Sequence, residues 1–217
     1  MPPMDAMEHY FAPFRANTVG NAQTFHSPYG EQRIVYADWT ASGRLYRPIE
    51  TRLLESFGPF VGNTHSESSE TGRAMTLAYH EAHRILKAHA NAGPDDLIIS
   101  TGTGMTGVIN KFQRILGLKA PQGLRRFLNL TEAERPVVFI THMEHHSNQT
   151  SWYETIADVV VVPPDEQGLV DLAALESLLH DYRDRPLKIG AFTACSNVTG
   201  VSTPYHAMAR LMHRAGG

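Results

Sequence analysis

The sequence has 217 residues, with 19 lysines and arginines against 22 aspartates and glutamates, for a formal net charge of −3. Its 42% hydrophobic and 19% charged residues suit a globular chain long enough to bury a core. No basic run marks a nucleic-acid surface, and the longest apolar run, Val159–Val162, is far too short to cross a bilayer. Cys195 is the only cysteine, which excludes an intrachain disulfide framework and points to a reducing, cytoplasmic setting. Met1-Pro2-Pro3-Met4-Asp5 lacks the basic and apolar regions of a signal peptide.

Along the chain, Met4 to Phe14 reads as an amphipathic arm, and residues 1–30 are expected to stand ahead of a domain spanning 31–217. Val35-Tyr36 is expected as a short strand, Arg47 to Phe60 as helical, and Thr71 to Ala92 as a long helix with Met75, Tyr79, Ala82 and Leu86 on one face. Leu97–Ser100 is a short apolar segment expected as a strand. Apolar residues then recur at Met105, Val108, Ile109, Phe112, Ile115 and Leu116, the period of a helix with one buried face. A polar loop or insertion covers 120–136. Val137–Ile140 and Val159–Val162 are the next strands, the latter ended by Pro163-Pro164. Asp171 is expected to cap a helix buried through Leu172, Leu175, Leu178 and Leu179. Residues 189–193 make a further strand, Thr203-Pro204 starts a last helix, and the closing glycine pair reads as a helix stop leading towards another strand. Such alternation predicts an α/β fold of three layers, α/β/α, around a mostly parallel sheet, with ligands taken beyond the carboxyl ends of the strands.

Three post-strand segments carry candidate chemistry. Ser100-Thr101-Gly102-Thr103-Gly104-Met105-Thr106 joins a strand to a helix, where glycines and free N–H groups suit a phosphate; a glycine-rich turn with threonine caps fits equally. It is neither a Walker A loop nor G-x-G-x-x-G. Thr141-His142-Met143-Glu144-His145-His146-Ser147-Asn148 invites a zinc reading, yet its order is not H-E-x-x-H. A histidine there could instead lie against an aromatic cofactor, or simply cap a helix. In Cys195-Ser196-Asn197-Val198-Thr199-Gly200, Asn197 could bond a ligand oxygen or form a turn, and Cys195 has no activating base beside it.

Taken in order, these segments resemble the class V aminotransferases, the cysteine desulfurases in particular. Glu144-His145-His146-Ser147-Asn148 with Trp152 resembles E-H-H-[AS]-N…W, and Ser196-Asn197-Val198-x-Gly200 resembles S-N-x-x-G. Gly104-Met105-Thr106-x-x-Ile109-Asn110 is similar to G-T-T-E-x-I-N. Tyr36–Ser42 resembles Y-L-D-N-A-A-[ST], and Gly62–Ser66 resembles the N-P-H-S loop. The resemblance implies the large domain of a fold-type-I enzyme that uses pyridoxal 5′-phosphate (PLP) on an amino-acid substrate, as a homodimer. It implies that His145 stacks on the cofactor ring, that Gly104, Met105 and Thr106 hold the phosphate, and that Asn197 bonds the ring 3′-oxygen. It places Asp38, Thr40, Ala41, Asn63 and His65 at the substrate mouth, and it assigns no metal.

The chain departs from the family pattern at Met105, Gly107 and Trp39-Thr40, so desulfurase, aminotransferase, epimerase and lyase chemistries stay open. The family also uses an aspartate on a later strand and a Schiff-base lysine beyond it. Lys87, Lys111, Lys119 and Lys188 match no such position, so the sequence is expected to be an incomplete large domain, inactive by itself. Two other readings are a non-catalytic binding module and a metal-dependent hydrolase using His142, His145 and His146.

Overall fold

The computed structural model describes residues 4–102 and 104–217; the readings that touched Met1–Pro3 and Thr103 lie outside the described residues. The chain divides into two compact units, Met1–Ile99 and Ser100–Gly217.

In the first unit, α1 (Met4–Asn17) is a helix over the stretch read as an arm. A polar hairpin follows, β1 (Thr24–Ser27) antiparallel to β2 (Gly30–Arg33). The predicted strand at Val35-Tyr36 does not form: the hairpin has already closed, and Val35 stands exposed with no strand beside it. Arg47–Phe60 is helical throughout, as α2 (Arg47–Arg52), a π turn at Leu53–Phe57 and a 3₁₀ turn at Gly58–Phe60. The long helix is α3 (Glu70–His89), capped by the Ser69 hydroxyl, which accepts from the Gly72 N–H at 3.1 Å. Leu97–Ser100 is not a strand either. Leu97 is exposed and joins no strand pairing among the described residues, and apolarity alone does not make a strand without a ladder to join.

The second unit begins with α4 (Gly104–Ile115), then short helical turns at α5 (Gln122–Arg125) and Glu132–Glu134 within the polar stretch. Next come β3 (Val137–Thr141), α6 (His146–Tyr153), β4 (Asp158–Val162), α7 (Leu172–Asp181), β5 (Lys188–Gly190) and α8 (Tyr205–Arg214). The three strands form a parallel sheet in the order β4-β3-β5. Residues of the fully buried β3 alternate between two cores, because successive side chains of a strand point to opposite faces. Val137 and Phe139 meet Leu175 and Leu179 of α7 and Met208 and Met212 of α8. Val138 and Ile140 meet Leu118, Trp152 of α6 and Ile109 of α4. Helices therefore cover both faces of a parallel sheet, the three-layer arrangement expected.

Two ends differ from expectation. The strand at 189–193 stops at Gly190, because beyond Ala191, whose N–H reaches the Phe139 carbonyl at 2.9 Å, the backbone bonds leave the ladder. The last helix is capped at Pro204, and Thr203 does not cap it: its hydroxyl donates to the Thr193 carbonyl instead. Asp171 does cap α7, its Oδ1 accepting from the N–H groups of Ala173 and Ala174 at 2.9 and 3.0 Å. Asp171→Ala is expected to cost about 1 kcal/mol, read as a lower urea midpoint at unchanged slope.

Candidate functional site

A cleft of about 610 Å³ opens at the carboxyl ends of β3 and β5. Met105, Thr106, Glu144, His145, Asn148 and Thr193 are among its walls. Two loops from different parts of the chain meet there, and each is held for a local reason.

The first loop enters α4 through Gly102 and Gly104, at φ 51° and 70°. Both lie in the left-handed region, where a side chain is strained, so the pair of glycines is needed for this path. The opening N–H groups of a helix have no partner inside it, and Met105 and Thr106 follow immediately. The helix is fixed against α6: buried Gln113 donates from Nε2 to the Ser151 hydroxyl at 3.0 Å, and Ile109 packs into the core around Trp152.

The second loop leaves β3. His145 is the N-cap of α6, and its Nδ1 accepts from the Ser147 N–H at 3.1 Å. An amide N–H can only donate, so the ring proton sits on Nε2. The ring is thereby oriented at the cleft edge with one donor to offer. His142, in contrast, donates from Nε2 to the Gly168 carbonyl at 3.0 Å and does not line the cleft. Among the described residues no group of three or more histidine, cysteine, aspartate or glutamate side chains is placed to hold a metal ion, which leaves the hydrolase reading without support.

Glu144 and Asn148 carry roles that the sequence did not reveal. Glu144 Oε1 accepts from the Thr141 N–H at 3.2 Å, the Thr141 hydroxyl at 2.7 Å and the Thr193 N–H at 2.8 Å. Its Oε2 accepts from Asn148 Nδ2 at 2.9 Å. Asn148 Nδ2 also donates to the Ala191 carbonyl at 3.1 Å, and its Oδ1 accepts from Trp152 Nε1 at 2.9 Å. The spacing Thr141-x-x-Glu144 is that of a Thr/Glu capping pair and was the available signal.

Asn197 stands on the turn after the cleft wall Ala191–Ala194, shaped by the Ser196 hydroxyl, which accepts from the N–H groups of Val198 and Thr199. Its carboxamide makes no hydrogen bond among the described residues, and it is not one of the lining residues. Cys195 is exposed. Asp38, Thr40, Ala41, Asn63 and His65 belong to the first unit. There, Asp38 closes a turn over Thr40 and Ala41 by accepting from the Ser42 hydroxyl at 2.8 Å and the Ser42 N–H at 2.9 Å. Asn63 is exposed. His65 has φ 66°, its N–H donates to the Thr76 hydroxyl at 3.0 Å, and its ring lies 5.5 Å from that of Tyr79. Of the lysines, Lys188 is buried at the start of β5, its ammonium donating to the Arg183 and Arg185 carbonyls at 3.1 and 3.2 Å. Lys119 pairs with Glu154 and Lys87 donates to the Pro94 carbonyl.

The family model "Aminotransferase class-V" matches residues 35–217. A cysteine desulfurase of Synechococcus elongatus is 29% identical over 187 residues, 84% of this chain and 27% of the relative. A probable cysteine desulfurase of Haemophilus influenzae is 27% identical over 188 residues, 85% of this chain and 38% of the relative. Among solved structures, a cysteine desulfurase from Thermococcus onnurineus superposes with a TM-score of 0.67 at 17% identity, covering 95% of this chain and 45% of that one. The cysteine desulfurase CsdA from Escherichia coli gives 0.62 at 24% identity, over 94% and 46%. At those identities the structures speak for the fold. The chain spans less than half the length of each of these relatives. No helix among the described residues is long and apolar enough to cross a membrane.

Proposed function

Since this chain belongs to the aminotransferase class-V family, we propose that it provides the phosphate- and ring-binding side of a PLP site, in an enzyme acting on an amino acid by desulfurase, aminotransferase or lyase chemistry. One observation carries the reading: the cleft faces Thr106, at the open start of α4, with His145, whose ring is already oriented at the start of α6.

The residues present fit the group. The cleft's volume falls in the range of small-molecule sites, roughly 300–1,000 Å³. Its α4 end offers a hydroxyl and helix-start N–H groups, a setting for an anion. Its other end offers a flat ring for stacking. When bound, PLP would supply an electron sink for the substrate carbon next to the amino group. The protein's part is then positional. Gly104 sets the backbone path, and Met105 and Thr106 take the phosphate. His145 covers the ring while keeping its Nε2 proton available to an acceptor. Asn197, with a free carboxamide, is proposed to bond the ring oxygen. The substrate-facing roles of Asp38, Thr40, Ala41, Asn63 and His65 rest on the sequence resemblance. Covalent attachment by Lys188 is not part of the reading, because its amino group is held at the opposite end of β5 from the cleft. A homodimer, a cytoplasmic location and a division into an arm at 1–30 and a large domain at 31–217 belong to the same proposal.

Titrating PLP into the purified protein, followed by cofactor absorbance and tryptophan fluorescence, tests it. Saturable binding is expected, and His145→Ala should weaken it roughly 2- to 10-fold, since such ring contacts are worth about 0.5–1.5 kcal/mol. Stoichiometric zinc by elemental analysis, with no change on adding PLP, would sink the proposal. Unaltered affinity in the alanine variant would remove His145 from the ring.

A further inference from the structure

We propose that Glu144 is a positioning residue: its carboxylate takes the place of ladder hydrogen bonds between β3 and β5 and so holds the cleft open. The inference rests on the cofactor reading only for what the cleft contains. The hydrogen-bond argument stands without it.

The ladder joining β3 to β5 ends at Phe139 and Ala191, although β3 itself continues to Thr141. Past that point the Thr141 and Thr193 N–H groups both turn to the same oxygen, Glu144 Oε1, at 3.2 and 2.8 Å. The Ala191 carbonyl is met by Asn148 Nδ2 at 3.1 Å, and that nitrogen is also held by Glu144 Oε2 at 2.9 Å. Two side chains thus satisfy three backbone groups where a strand would otherwise do so. Backbone groups next to a buried sheet must be paired, and pairing them through side chains keeps the two segments apart without leaving orphans. Glu144, Asn148 and Ala191 to Ala194 all line the cleft, so this spacer is one of its walls. The arrangement needs an acceptor on both oxygens of residue 144. Asn148 presents its NH₂, because its oxygen is already taken by the indole N–H of Trp152 at 2.9 Å.

Glu144→Gln keeps the shape and breaks the pattern, since one terminal atom becomes a donor facing a donor. Two measurements on the 217-residue protein decide the matter. In amide hydrogen exchange without ligand, the Thr193 N–H is expected to exchange at least tenfold faster in E144Q, with β4 amides unchanged. Glu144→Ala, which removes both acceptor oxygens, serves as the second variant. Its Thr193 N–H is expected to lose at least as much protection as in E144Q. With PLP as the probe, E144Q should bind at least tenfold more weakly and lose most of the circular dichroism induced in the cofactor band. Inorganic phosphate, held at the α4 end, should bind within twofold of the parent. Unchanged Thr193 exchange in both folded E144Q and folded E144A would overturn the spacer role, as would an equal loss of PLP and phosphate binding. If the parent itself gives no PLP signal, the cofactor reading fails while the exchange result still judges Glu144.

Discussion

Trp152→Ala is expected to cost about 3–5 kcal/mol of stability, the range for truncating a large buried aromatic. Trp152 is 1% exposed and packs with Leu118, Val138 and Ile140 in the core under one face of the sheet. Its removal leaves a cavity and also strips the donor from Asn148 Oδ1. Trp152→Phe separates the two losses. Packing is largely kept, and the unpaired Asn148 oxygen should cost about 1–3 kcal/mol, less if water reaches it. Urea unfolding of both variants gives the comparison. Equal stability of the phenylalanine variant and the parent would mean that the indole N–H contributes nothing to holding Asn148.

Thr106→Val removes a hydroxyl without changing the shape of the side chain. A hydrogen bond to a charged group is worth about 1.5–3 kcal/mol, so binding of inorganic phosphate and of PLP should both weaken roughly 10- to 100-fold. Thr106 is exposed in the first turn of α4, so the unfolding midpoint should hardly move. Calorimetric titration with phosphate measures the effect directly. Undiminished phosphate affinity would place the anion elsewhere. A matched loss of phosphate and PLP binding here, beside a selective loss of PLP binding in E144Q, would assign the two ends of the cleft separately.

Strand β3 and helix α7 were legible in the sequence because their core-facing residues are fully buried. Val137–Ile140 is apolar at every position, and Leu175 and Leu179 repeat at helical spacing, so tertiary packing and local pattern agree. Elements with no buried face were not legible. The β1–β2 hairpin is Thr-Phe-His-Ser paired with Gly-Glu-Gln-Arg, almost wholly exposed and without hydrophobic alternation. Only its turn, with Gly30 at φ 95°, carried a signal. Leu97–Ile99 shows the opposite failure, a mostly apolar stretch that joins no sheet among the described residues. Helix α6 shows no apolar period because His146–Tyr153 is mostly polar, and only the reading of a histidine as a helix cap pointed to it. Its motif residues were found through resemblance, which marks Glu144 and Asn148 without saying what they do. Their work is to satisfy backbone atoms as far as 49 residues away in sequence, a relation no local pattern expresses.

The strand order also leaves the two outer strands of the sheet unequal. Among the described residues β4 pairs on one side only, with β3, and its free side runs Asp158-Val-Val-Val-Val with no lysine or proline before Pro163. Proteins usually blunt such edges with charge, a bulge or brevity. The other outer strand, β5, is blunted: it is three residues long, opens with Lys188 and ends at Gly190. Within the sheet the backbone edge that carries the fewer blunting features is therefore that of β4, whose one charge, Asp158, is paired with Arg135 and Arg185.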